Sequence, residues 1–483
     1  MSITPEQVPG SSFTSPDAST LDFQDQDGSR GTTIIEEPEK SIRNFGGEEE
    51  DEKRDVELAV AAQPVSVPTP VDDGPPDGGY GWVVAVCQFF INFATWGYAS
   101  AYGVFLSFYR ETNFFPGATD IEFALIGGLL LSVAFLTSPL SNFLSKTYGF
   151  RIPMSVGVVI FTLGQIFAGL STKIWQLFLT QGVMFGLGVG LVYMPTLPVL
   201  TQWFNKRRGL ANGLASGGAG AGALVISILT RNNIQKLSLK WAFIINGLIA
   251  FALLTPSVLL MKTRVHATGA KFEPLQPRWL WHKGYAFVLL WFFFSVLGYI
   301  IAIYSVATYA TAGLGLSQTL AANIQAITCG FQIIGRPGVG LSLDRFGRIN
   351  GGSGATLIAG LSCLLIWIFA DSYGLLIFFS VIQGLTGGTL FATCGSITAE
   401  VVGVKHIGSA MAIMWLVGVL PSTFAEPIGL ALVDYSTNHL GWTGRKAFEI
   451  SICFSGGSFI VAAIVLMGAK RHVQGNWNML TKA

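Results

Sequence analysis

The chain reads as an all-α membrane protein with twelve transmembrane helices in two six-helix bundles. Three observations predict this. It is 51% apolar and only 12% charged, where soluble domains carry roughly 25% charged residues. It holds twelve apolar runs of the length that a bilayer requires, about 20 residues each. And its second half repeats landmarks of its first in the same order.

The elements follow in chain order. Residues 1–76 are rich in Ser, Thr, Pro, Asp and Glu and contain the block EEEDE at 48–52. Up to Asp77 the chain has 18 acids and 5 bases; the rest has 10 acids and 24 bases. A segment of that composition buries too little apolar surface to offset its ordering entropy. It is expected to be a disordered acidic tail. Met1 to Gly10 has neither a basic n-region nor an apolar core, so no secretory signal is expected.

The stretch DGGYGW, Asp77 to Trp82, marks the seam between tail and membrane. Gly78, Gly79 and Gly81 let the chain turn into the first helix. Asp77 can complement a helix N-terminal dipole, and Tyr80 and Trp82 suit the headgroup zone.

The apolar runs cover roughly 81–108, 122–143, 153–171, 175–198, 209–230 and 241–261, then 285–311, 319–342, 353–370, 374–398, 407–433 and 448–468. The charged, proline-containing segment 262–284 divides them six and six. The expected domains are therefore a bundle over 77–261, a linker over 262–284, a bundle over 285–470 and a tail over 471–483. With the N-terminus inside, the inside loops and tail hold 16 Lys and Arg against 7 outside, which predicts that both termini are cytoplasmic.

LSKTYGFRIP at 144–153 is echoed by LSLDRFGRIN at 341–350, QGVMFGLGVG at 181–190 by QGLTGGTLFA at 383–392, and KRRGLANG at 206–213 by KHIGSAMA at 405–412. Paired six-helix halves of this kind are a carrier architecture, with the ligand held between them near the midplane. In the 341–350 loop, Gly347 permits a tight turn. Asp344 can sit at a neighbouring helix N-terminus or pair with Arg348, and with Arg345 these groups form a candidate gating cluster. Simple positive-inside anchoring is the plainer account of the same charges.

Gly209, Gly213, Gly217 and Gly220 fall on one face of the fifth span, which permits close helix contact. The five cysteines lie in apolar runs and form no CxxC pair, so neither disulfides nor a metal site are expected. The chain has no GxxxxGK[ST] loop and no His/Asp/Ser cluster, so neither an enzyme nor a cofactor is expected.

DGGYGW resembles the first-span motif of the monocarboxylate transporter family, within the major facilitator superfamily. WFNKRRGLANGLASGGAGAG at 203–220 is similar to that family's approach to span five, and GRP at 335–337 and ALVDYS at 431–436 also match. The LDRFGR loop resembles the superfamily's signature loop, whereas the N-half copy lacks an acid. YGVFLSFY at 102–109 and the acidic tail look like the fungal branch. The resemblance covers about 77–470 and implies the major facilitator fold, a small-molecule organic substrate with or without a co-transported proton, and no nucleic acid.

Arg336 is the sharpest candidate. A guanidinium inside a span costs about 2.5–3.5 kcal/mol on insertion scales, so it is paired, cavity-facing or snorkelling. In the resembling family the matching arginine contacts the substrate carboxylate. Proton-lactate carriers of that family place an aspartate four residues earlier, where this chain has Gln332, and a lysine late in span one, where the closest residue is Ser100. Gln332 takes up no proton and Ser100 supplies no charge, so the lactate mechanism does not transfer.

Gln332, Asn92, Tyr102 and Tyr304 join Arg336 as candidate substrate-binding residues of the cavity. Glu426, an acid within the eleventh span, is a candidate coupling group, with exposure to outer water as the plainer account. The resulting expectation is a secondary carrier of a small organic anion or metabolite in the plasma membrane, with the vacuolar membrane as the alternative. Import or export of a fungal secondary metabolite, riboflavin or an iron-chelating product such as pulcherriminic acid fits the same architecture. A non-transporting nutrient receptor is the remaining reading.

Overall fold

Twelve long helical segments account for most of the chain in the computed structural model, which describes residues 76–264 and 275–474. They are α1 Tyr80–Tyr109, α2 Leu125–Tyr148, α3 Arg151–Ala168, α4 Ile174–Thr201, α5 Arg208–Lys236 and α6 Leu239–Leu260, followed by α7 Lys283–Gly313. Then come α8 Gln318–Phe346, α9 Arg348–Trp367, α10 Tyr373–Val402, α11 Val404–Asn438 and α12 Gly444–Val473. No strand occurs among the described residues.

Eleven of the twelve are long and apolar enough to cross a bilayer by composition. The exception, α8, has the length, at 29 residues, but carries Gln325, Gln332 and Arg336 along its middle. Its polar face is affordable because it is buried between helices rather than turned to lipid. The segments 1–75, 265–274 and 475–483, which include nearly all of the expected acidic tail and the middle of the expected linker, lie outside the described residues.

Several helices are less uniform than the apolar runs suggest. The first span breaks at Ala101 between Tyr80–Ser100 and Tyr102–Thr112. There Ser100 Oγ donates back to the Trp96 carbonyl at 3.0 Å, a local bond that competes with the helix ladder and bends it. Short π-helical turns interrupt α4 at Phe178–Met184, end α7 at Tyr309–Gly313 and end α9 at Cys363–Trp367. The helix that opens the second span begins at Asp120, two residues before the apolar run and ahead of the membrane-length segment Leu125–Tyr148, because Thr119 and Glu122 form a reciprocal capping box.

The outer helices α3, α6, α9 and α12 pack within their own halves, and the halves meet along two seams, α5 on α8 and α2 on α11. The glycine face of α5 makes the first seam. A Cβ added to Gly213 would strike the Arg336 carbonyl and Pro337, and one on Gly220 would lie 2.8 Å from the Cys329 carbonyl. In the second seam Asn142 Nδ2 donates to the Gly408 carbonyl at 2.7 Å, Phe135 packs on Trp415 with centroids 4.9 Å apart, and the hydroxyls of Ser132 and Thr423 are hydrogen-bonded.

Helix α1 begins, and α6 ends, on one face of the bundle, which we call the linker face. Among the described residues, the hydrogen bonds between the halves lie at cavity level or on the linker side of it.

Candidate functional site

Where the seams end, a cavity of about 70 Å³ opens between the halves. Its walls come from α1, α2 and α5 on one side and α7, α8 and α10 on the other. Arg336 is the single charged side chain among the described residues that line it, and it is only 4% exposed.

The guanidinium is held by neutral acceptors. Nη1 donates to the Ser216 carbonyl on α5 at 2.7 Å, which crosses the interface between the halves. Nη2 donates to Gln332 Oε1, one turn earlier on α8, at 2.7 Å, and Nε finds no partner among the described residues. Tyr299 directs its hydroxyl to the same Gln332 oxygen at 3.5 Å. Gln332 thus fills with a neutral amide the place where a carboxylate would have neutralised the arginine.

Asn92 and Tyr304 also line the cavity, as does Ser100. Asn92 spends one amide hydrogen on the Gln88 carbonyl at 2.9 Å. Tyr102 stands elsewhere. Its hydroxyl donates to the Phe123 carbonyl at 2.6 Å, and its ring packs with Phe105, Tyr109 and Phe123 in an aromatic cluster. The break at Ala101 turns it away from the interface, and it is a structural residue rather than part of the cavity wall. Glu426 is half-buried on α11 outside the lining.

Sequence reasoning missed the aromatic floor of the cavity. Trp96 and Phe391 come from opposite halves and lie nearly parallel, at 22° with centroids 6.2 Å apart. Phe391 continues into Trp415 at 7° and 6.3 Å. Single tryptophans and phenylalanines in apolar runs give no sign of this, because the contact is between distant parts of the chain.

The charged loop lies at the linker face. Gly347, at φ 100°, ends α8 and turns the chain into α9. The Asp344 carboxylate accepts from the Gly209 and Leu210 backbone N–H groups, each at 2.8 Å, at the start of α5. Arg348 forms an ion pair with Glu400 on α10 and donates from Nη2 to the Asn205 carbonyl of the other half at 2.9 Å. Of the two partners considered for Asp344, the helix N-terminus is the one that holds it by hydrogen bonds. Arg345 is exposed and lies over the ring of its neighbour Phe346.

The opening motif meets the second one. Asp77, itself at φ 50°, accepts from the backbone N–H groups of Asn205 at 2.7 Å and Arg207 at 3.2 Å. It therefore serves the start of α5 rather than of α1. Burial pulls the Asp77 carboxyl upward, but the backbone donors of Asn205, Arg207 and Lys206 outweigh it and hold the group below its usual value of 3.8. Gly79 turns at φ 57°. Gly81 leaves room for Trp203 and Phe204, on which Tyr80 and Trp82 pack, and Gly78 sits in the same turn.

Known proteins agree with this architecture. The family model described as Major Facilitator Superfamily matches residues 84–350 and 288–477. The chain is 29% identical over 420 residues to "Probable transporter MCH2" of Saccharomyces cerevisiae, covering 84% of this chain and 88% of that one. It is 27% identical over 450 residues to "Fujikurins efflux protein" of Gibberella fujikuroi, covering 91% and 95%. Among solved structures, the major facilitator transporter FucP in its outward conformation superposes with a TM-score of 0.60 at 17% identity, over 80% of this chain and 97% of that one. The paired halves, the central cavity and the family match together establish that this multi-pass membrane protein belongs to the major facilitator superfamily.

Proposed function

We propose that the protein is a secondary active carrier of small organic anions, of the monocarboxylate-porter type, working by alternating access across the plasma membrane. The observation that carries this reading is Arg336: a nearly fully buried guanidinium, the single charge among the described residues lining a cavity between the two halves. A planar fork of donors suits a carboxylate. The excess of Lys and Arg in the loops of the linker face supports assigning that face to the cytoplasm.

The charged loop serves as the cytoplasmic gate on this reading. Asp344 on the α5 amides and Arg348 on Asn205 hold the halves together, and their release accompanies inward opening. Glu426, half-buried on α11, is the proposed coupling acid. Export of a secondary metabolite is the second reading, favoured by the near full-length likeness to a protein named for fujikurins efflux.

The test is flux of candidate organic acids in cells expressing wild type or Arg336→Gln. The variant is expected to reach the membrane in normal amount and to lose transport by at least about tenfold, the factor that 1.4 kcal/mol of lost binding supplies. Undiminished flux in Arg336→Gln would overturn the assignment.

A further inference from the structure

We propose that the cavity selects anions whose body is a flat conjugated ring, an aromatic carboxylate above all, and that Trp96 is the residue that makes the selection. The proposal rests on the anion-carrier reading of the same cavity and names the substrate class.

Trp96 from α1 and Phe391 from α10 both line the cavity and both are only half-buried, so each keeps ring surface towards it. Their planes and that of Trp415 are nearly parallel. The centroid separation of 6.2 Å between Trp96 and Phe391 lies within the 4.5–7 Å range of offset aromatic pairs. This stack crosses the interface between the halves, so it is made and broken as they rock. When the halves shift, a flat π surface bound on Trp96 takes the place of Phe391, with its face already matched in orientation.

The ring stack and the anion hook form one unit. Tyr299 meets Phe391 edge-on, at 78° and 5.6 Å, and its hydroxyl points to the Gln332 oxygen that holds Arg336. A ligand with one carboxylate and a flat apolar body satisfies both parts. A saturated ring of equal size satisfies Arg336 and buries similar apolar area, but it is puckered and has no π face to stack on Trp96. Offset stacking of one ring is worth about 0.5–1.5 kcal/mol beyond burial, a selectivity of roughly two- to twelvefold.

The experiment uses the full-length protein in lipid nanodiscs. Dissociation constants are measured by calorimetry for benzoate, 1-naphthoate and cyclohexanecarboxylate with wild type, Trp96→Leu, Trp96→Phe and Arg336→Gln, each checked for a single cooperative melt. Wild type is expected to bind the aromatic acids about fivefold or more tighter than cyclohexanecarboxylate. Trp96→Leu should reduce that ratio to about twofold or less while still binding the saturated acid, Trp96→Phe should retain most of it, and Arg336→Gln should weaken all three acids together. Equal binding of aromatic and saturated acids by wild type overturns the proposal and leaves the carrier reading standing. So does a ratio that persists in a well-folded Trp96→Leu. Binding of none of the three overturns it too, and the carrier reading is then decided by the separate Arg336→Gln flux measurement.

Discussion

Gln332 is the residue in which this chain departs most consequentially from its resemblance. It gives Arg336 an acceptor at 2.7 Å without giving it a counter-charge. Gln332→Asp should therefore install an internal carboxylate that competes with the substrate whenever it is ionised. Flux at neutral pH is expected to fall severalfold and to recover as the outside is acidified, whereas wild type should show a shallower pH profile; uptake of a radiolabelled acid against external pH reads this directly. Asp77 offers a second test at this scale. Its carboxyl titrates below the usual 3.8 because backbone N–H groups favour the ionised form. A depressed carboxylate contributes stability that is full above its unfolded value and is lost as pH falls through the folded one. Asp77→Ala should lower stability by about 0.5–2 kcal/mol, the usual worth of a helix cap. The difference in melting temperature from wild type should be constant from pH 7 to 5, begin to shrink as pH approaches 3.8 and be lost only as pH falls on through the lower folded value.

At the scale of elements, the start of α5 is the joint on which both motifs converge. The first turn of a helix leaves four backbone donors without partners. Here the amides around it are divided between a carboxylate of the same half, Asp77, and one of the other half, Asp344. Asp344→Asn keeps the shape but removes the charge. It should weaken the linker-face seal and make a cysteine placed at Asn212 react with membrane-impermeant thiol reagents at least severalfold faster from that face. The seam behind it depends on glycine. Gly213→Val would drive a branched side chain against the Arg336 carbonyl and Pro337, so the halves should fail to close there and flux should drop by tenfold or more in proteoliposomes. The glycine face of α5 was legible in the sequence because four glycines recur at helical spacing; its partner was not. The break at Ala101 and the three π-helical turns were also illegible. They arise from back-bonding and packing that no apolar run records, and the break is what removed Tyr102 from the cavity.

For the whole molecule, run lengths and the internal repeat sufficed to give twelve spans and two halves, since lipid tolerates few other arrangements. Arg336 was conspicuous for the same reason, as a charge that a span does not carry idly. The aromatic floor and the Arg348–Glu400 pair were beyond reach, because both join residues from separate helices. The alternating-access reading predicts that Asn205 and Arg348, one from each half, must separate in every cycle. In a background with the exposed Cys453 replaced by Ser, Asn205→Cys with Arg348→Cys should be arrested by a short bifunctional thiol reagent, with flux falling at least tenfold, while a monofunctional reagent has a much smaller effect.

The neutral surroundings of Arg336 also bear on how voltage enters the cycle. Because no acid stands among the described residues of the cavity wall, the empty site on the anion-carrier reading is a cation, and a bound monoanion turns it into a neutral pair. Loaded reorientation then moves little net charge through the field. The return of the empty site moves positive charge, for which the membrane potential supplies up to about 2.3 kcal/mol per elementary charge per 100 mV. An inside-negative potential would thus govern the unloaded limb of the cycle: net flux becomes electrogenic, while one-for-one exchange of labelled for unlabelled anion stays indifferent to voltage.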